Sequence, residues 1–156
     1  MEMNKICAVL FLLITLVSCK SDDSEIQMRS VNNAWKMNAE QKFPLNINDA
    51  QNLKNIIFVV RNNSDYPYSN IRFIVNFTNV KSKKKQTDTL NYILARPNGE
   101  WIGTGFGATK EILFQYRTSY KFPENGAYEI GIKQAMRNSV LPGIEDIGIK
   151  IQNTKP

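Results

Sequence analysis

Ile71-Arg72-Phe73-Ile74-Val75-Asn76-Phe77 puts Ile71, Phe73, Val75 and Phe77 at every second position. Successive side chains of a strand point to opposite faces, so these four share one face of a half-buried β-strand. The same period returns in Ile112, Phe114 and Tyr116, in Tyr128, Ile130 and Ile132, and in Ile147, Ile149 and Ile151. Ile56 to Val60 is continuously apolar and rich in β-branched residues, which predicts a central strand buried on both faces. Weaker strands fit Gln41–Asn48, Asp88–Leu94 and Trp101–Gly107. No window carries a helical stripe, and Ala34–Gln41 has room for one short helical turn at most. The breaks hold turn residues: Asn62-Asn63-Ser64-Asp65, Pro97-Asn98-Gly99, Pro123-Glu124-Asn125-Gly126 and Pro142-Gly143. About eight short strands without intervening helices predict an all-β, antiparallel two-sheet sandwich, jelly-roll or immunoglobulin-like. A small closed barrel is the alternative. There is no internal repeat.

Upstream of this body the chain changes character. A single lysine, Lys5, precedes an apolar run from Ile6 to Val17, which ends in Leu16-Val17-Ser18-Cys19. A positive start, a run too short for a permanent span and a small residue at the end read as a secretory signal. The last four residues resemble the lipobox of bacterial lipoproteins, in which the cysteine is lipidated and becomes the new N-terminus. The expected organisation is a signal peptide over 1–18, the lipidated Cys19 with a flexible acidic tether over 19–33, and one domain over 34–156. Lys20-Ser21-Asp22-Asp23-Ser24-Glu25 opens that tether, whose 14 or so residues would reach at most about 50 Å. Its acidic residues lack the spacing of a calcium loop. Serine followed by acid just after the cysteine is similar to a surface-export signal of some Gram-negative lipoproteins, so outward display is expected alongside the periplasmic alternative.

Composition removes several chemistries. The 156 residues contain no histidine and two cysteines, Cys7 and Cys19. Cys7 would leave with the signal and Cys19 would carry lipid, so no disulfide, thiol nucleophile or zinc knuckle is expected in the mature chain. Without histidine the commonest general base is also missing. Net charge is +6, with local excess in Lys81-Ser82-Lys83-Lys84-Lys85. That run has no interleaved aromatics, so it reads as a solvated loop and nucleic acid is not expected.

Four features invite a functional reading. Tyr66-Pro67-Tyr68-Ser69-Asn70, with Trp101, is a candidate ligand or partner surface, and glycan is one candidate ligand. The bland alternative is a corner whose rings cap the sandwich. Trp101 to Gly107 carries glycine at every second place but lacks the strand–loop–helix context and lysine of a phosphate loop. Close packing is the preferred reading. Arg61 and Arg137 lie beside strand sequences and, if buried, need carboxylates. Asp88 and Asp146 are the candidate structural partners. The remaining acids, Glu100, Glu111, Glu129 and Glu145, form no motif, so no catalytic residue, cofactor or metal site is expected and the chain reads as a non-enzyme.

Taken together, Trp35, Arg61-Asn62-Asn63, Tyr66-Pro67-Tyr68-Ser69-Asn70, Asp88-Thr89-Leu90, Gly99 to Gly105, Phe122, Gly126-Ala127-Tyr128, Gln134-Ala135-Met136-Arg137 and Gly143 to Gly148 resemble, in order and spacing, the gliding-motility lipoprotein GldH family. The resemblance runs from Trp35 to Ile151. It implies an accessory lipoprotein of the gliding apparatus of Bacteroidota, tethered to the outer membrane, linked to type IX secretion, partnered by other envelope proteins and without catalytic residues. Asp88-Thr89-Leu90 is also similar to the O-glycosylation acceptor of such bacteria, which makes Thr89 a candidate modification site. The alternative there is an ordinary strand start.

Overall fold

The computed structural model describes residues 24–154. Cys19, the signal region and the first part of the expected tether lie outside them. The described chain forms ten strands: β1 (Ser24–Ser30), β2 (Ala34–Lys36), β3 (Gln41–Ile47), β4 (Lys54–Asn62), β5 (Asn70–Asn79), β6 (Lys85–Ile93), β7 (Lys110–Tyr120), β8 (Gly126–Gln134), β9 (Val140–Pro142) and β10 (Ile144–Asn153). No helix occurs among the described residues. One four-stranded sheet has the order β1-β10-β4-β7, the other β3-β8-β5-β6, and β2 pairs with β9 alone. Every pairing is antiparallel. The all-β, antiparallel, sandwich-like class is therefore as expected.

The strongest sequence patterns carry the core. Ile71, Phe73, Val75 and Phe77 of β5 all point inward and are buried. Facing them, Ile56, Phe58 and Val60 of β4 and Ile147, Ile149 and Ile151 of β10 fill the other layer. Aromatic rings knit the layers edge to face, as in Phe58 against Phe73 at 6.2 Å and Phe122 against Tyr128 at 4.9 Å. Ile57 and Val59, on the far face of β4, are also buried, as a central strand requires.

Three expectations change. Residues 24–33 are not a flexible tether: Ser24–Ser30 is strand β1, paired along its whole length with β10, and Val31 is buried. The sandwich therefore takes in residues 24–33, which the expectation left to the tether. Only Ile26 and Met28 alternate there, too few apolar positions to declare a strand. The strand exists because β10 offers a row of free backbone groups, and Gln27 Nε2 donates to Pro44 O of β3 at 2.7 Å. Within Ala34–Gln41, which had room for one short helical turn at most, Ala34–Lys36 is strand β2 and Gln41 opens β3. Trp101–Gly107 is not a strand. It is a loop held by isolated bridges, Ala95 to Trp101 and Thr104 to Glu111. A Cβ on Gly103 would lie 2.8 Å from Glu111 O, so close backbone approach explains that glycine.

The antiparallel register gives the sandwich two distinct ends. One gathers the start of β1, the end of β10 and the β3–β4, β5–β6 and β7–β8 turns. The other gathers the β4–β5 loop, the β8–β9 turn and the loop before β7.

Candidate functional site

The second end holds the Tyr66–Asn70 loop. Its base is rigid for reasons written in single residues. Asn63 is buried; its Nδ2 donates to Asn33 Oδ1 and Glu145 Oε1, both at 3.0 Å. Its Oδ1 accepts from Asp65 N at 3.0 Å, an Asx turn. Gly143, at φ +74°, lies against the Tyr66 backbone where no Cβ fits. Tyr66 is 3% exposed, and its hydroxyl donates to Asn70 O at 2.7 Å. Burial pushes that phenol well above its ordinary range. Tyr66 is thus a corner residue.

Pro67 is exposed and Tyr68 half-buried. The Tyr68 hydroxyl donates to Asn138 Oδ1 of the β8–β9 turn. Trp101 is half-buried, its ring 6.3 Å from Tyr66 and tilted 51°. Tyr66 and Tyr68 stand edge to face at 75°. The three rings form a folded chain with no common plane, so they offer no flat stacking surface for a sugar. They line one side of a shallow cavity of about 320 Å³ with Pro67, Ala95 and Arg96.

Around Tyr68 lies a second cavity, of about 300 Å³, lined by Asn70, Arg72, Ala135, Met136 and Arg137. Here the structure joins two motifs that are far apart in the chain. Gln134 is buried, donates from Nε2 to Asn138 O and accepts at Oε1 from Met136 N, each at 2.8 Å. Ala135 N donates to Arg72 O at 2.8 Å, and Arg72 N to Met136 Sδ at 3.3 Å. The turn is therefore locked over the start of β5. Arg72 and Arg137 are both exposed, and among the described residues neither has a carboxylate within ion-pair distance. Two guanidinium groups, a phenol edge and a thioether suit a carboxylate carried on a partly apolar partner. No nucleophile with an adjacent base is in the set.

The candidate ion-pair residues divide differently from the expectation. Arg61 pairs with Glu111 at 2.7 Å and with Asp146 at 3.7 Å, across the outer face of β4, β7 and β10. Asp88 serves neither Arg61 nor Arg137. It accepts from Arg117 Nη2 at 2.8 Å and from the Tyr116 hydroxyl at 2.7 Å, tying edge strand β6 to edge strand β7. Burial first, and then the Asp88 carboxylate, push the Tyr116 phenol up. Arg137 makes no ion pair and lines the cavity. Thr89 is exposed on β6, on the polar outer face of its sheet. Arg72 and Asn138 were not singled out from sequence. Arg72 shows only as an outward position of β5, and nothing local says that a turn 60 residues on will close over it.

The family model for the GldH lipoprotein matches residues 25–151. The chain is 34% identical over 152 residues to a gliding motility lipoprotein GldH homolog of Christiangramia forsetii, covering 93% of each chain. It is 32% identical over 151 residues to the gliding motility lipoprotein GldH of Flavobacterium johnsoniae, covering 92% of this chain and 93% of that one. Among solved structures, a periplasmic inhibitor of g-type lysozyme from Salmonella Typhimurium overlaps 89% of this chain and 95% of its own, at 10% identity and a TM-score of 0.35. A likeness that low carries no argument. A match that begins inside β1 and ends inside β10 takes in both sheets and both ends of the sandwich, and on it the chain belongs to the GldH lipoprotein family.

Proposed function

We propose that this protein is a lipid-anchored component of the gliding-motility machinery, held at the outer membrane by Cys19, linked through that machinery to type IX secretion, and acting by contact rather than by catalysis. The observation that carries the reading is the family match over residues 25–151, with two relatives named for gliding motility. The contact point is the cavity of Tyr68, Arg72, Met136 and Arg137, whose cations favour an acidic segment of an envelope partner. The glycan alternative loses ground because Tyr66 is buried and the rings share no plane.

Two experiments test this. Cys19→Ala releases the protein from the membrane fraction; a variant that still fractionates with membranes overturns the anchor. A photo-crosslinker at Arg137 in intact, spreading cells captures another gliding component, and Arg72→Glu with Arg137→Glu abolishes both the capture and colony spreading. Normal spreading of that double variant at normal protein level removes the cavity from the mechanism.

A further inference from the structure

The lysine run Lys81 to Lys85 belongs to the β5–β6 hairpin, and the register puts that hairpin at the first end of the sandwich. Val80 N donates to Ala127 O at the start of β8. Asn125, one residue before β8, donates to Asn48 O and accepts from Ala50 N in the β3–β4 turn. Lys54 of that turn's far side pairs with Asn153, and Gln152 pairs with Ser24. The chain therefore enters the sandwich at the same end that carries the hairpin.

Cys19 precedes Ser24 by five residues, so the linking backbone spans at most about 18 Å. The arginine-lined cavity sits at the opposite end, a strand length of roughly 30 Å away. We propose that the β5–β6 hairpin rests on the anionic phospholipid headgroups of the membrane that holds Cys19, so that the sandwich stands upright and presents the arginine-lined cavity outward. The proposal rests on the reading of Cys19 as the anchor.

Charge and shape both support it. The acids at this end are already engaged: Asp49 with Lys54 at 2.8 Å, and Glu124 with Lys81 at 3.7 Å. Lys83, Lys84, Lys85 and Lys121 are exposed and have no ion-pair partner among the described residues. Glu25, on β1, lies on the opposite edge from the hairpin and accepts from Gln27 Nε2 at 2.8 Å. The hairpin is a fixed shape: Asn79 N donates to Lys84 O at 2.9 Å, Ser82 N to Asn79 Oδ1 at 3.0 Å, and Lys83 sits at φ +58°. Beside it a cavity of about 270 Å³ has Phe77, Tyr120, Tyr128, Lys84 and Lys85 among its lining residues. Acyl chains together with a basic patch are a recognised pair of membrane signals, and each lysine near an anionic surface raises partitioning roughly fivefold.

The test uses the lipidated full protein in nanodiscs. With Cys7 removed and Cys19 blocked by lipid, Ser82→Cys and Ser139→Cys each supply a single reactive thiol for a fluorophore. A headgroup-borne quencher is added to discs of phosphatidylglycerol with phosphatidylethanolamine, or of phosphatidylcholine alone. The expected result is strong quenching at position 82 in the anionic discs, little in the neutral ones, and little at position 139 in either. Lys83→Glu with Lys84→Glu and Lys85→Glu brings position 82 down to the level of position 139. Equal quenching at 82 in both lipids, or stronger quenching at 139, overturns the hairpin proposal alone. A chain that does not co-elute with discs of either kind overturns the anchor, and the hairpin proposal with it.

Discussion

Asp88 shows what one side chain decides. It takes two charge-strengthened hydrogen bonds, from Tyr116 and Arg117, at a site about three-quarters buried. Asp88→Asn leaves Arg117 without its acid, and should cost about 1–2 kcal/mol, a fall in Tm of roughly 4–8 °C by calorimetry. Asp146→Asn should cost less than about 0.5 kcal/mol, because Arg61 keeps Glu111 at 2.7 Å and is itself well exposed. Equal losses for the two variants would contradict this ranking. Glycine positions rank in the same way. Gly143 combines φ +74° with a collision against the Tyr66 backbone, whereas Gly99 at φ +85° has nothing within 4 Å. Gly143→Ala should cost about 3 kcal/mol or more and Gly99→Ala about 1 kcal/mol, read from denaturant midpoints.

Among the elements, β1 matters most to how the protein is held. A tether over residues 19–33 would let the domain roam; a strand over Ser24–Ser30 docks it within a few residues of Cys19, the proposed anchor. Trypsin checks this on the native protein. Arg29 should resist cleavage, since its backbone is in the β1–β10 ladder and its guanidinium lies 5.6 Å over the Phe43 ring. Cleavage at Arg29 as fast as in the urea-unfolded chain would restore the tether. β6 is the other instructive element. It is an edge strand, exposed along most of its outer side, and its charged and hydroxyl residues are of the kind that disfavours edge-to-edge pairing.

For the molecule as a whole, the aromatic core sets the alkaline limit of stability. Burial raises Tyr66 and Tyr116 above the usual phenol range and pushes Tyr92 up to about 12, against the opposing charge of Arg117. A raised folded-state value means stability is complete below the unfolded value of 10 and is lost as pH climbs through and beyond it. The phenolate absorbance contributed by Tyr66, Tyr92 and Tyr116 should therefore appear together with the loss of circular dichroism and not ahead of it, read by comparison with Phe variants of the three. A smooth titration with the fold intact would mean that these rings are wetter than the structure shows.

The sequence by itself determined the fold class, because the period-two apolar pattern of β5, β8 and β10 and the continuous apolar run of β4 are local properties that survive without knowing which strand meets which. It also carried the family, through short motifs in fixed order. It did not disclose β1, whose two apolar residues become a strand only when β10 lends backbone partners. It did not disclose the partner of Asp88, which is Arg117 rather than Arg61 or Arg137, nor the meeting of Tyr68 and Arg72 with Met136 and Arg137. Those are matters of which ends and edges come together. Pairing across long loops is settled by the joint packing of two sheets, and no single stretch of chain contains that information.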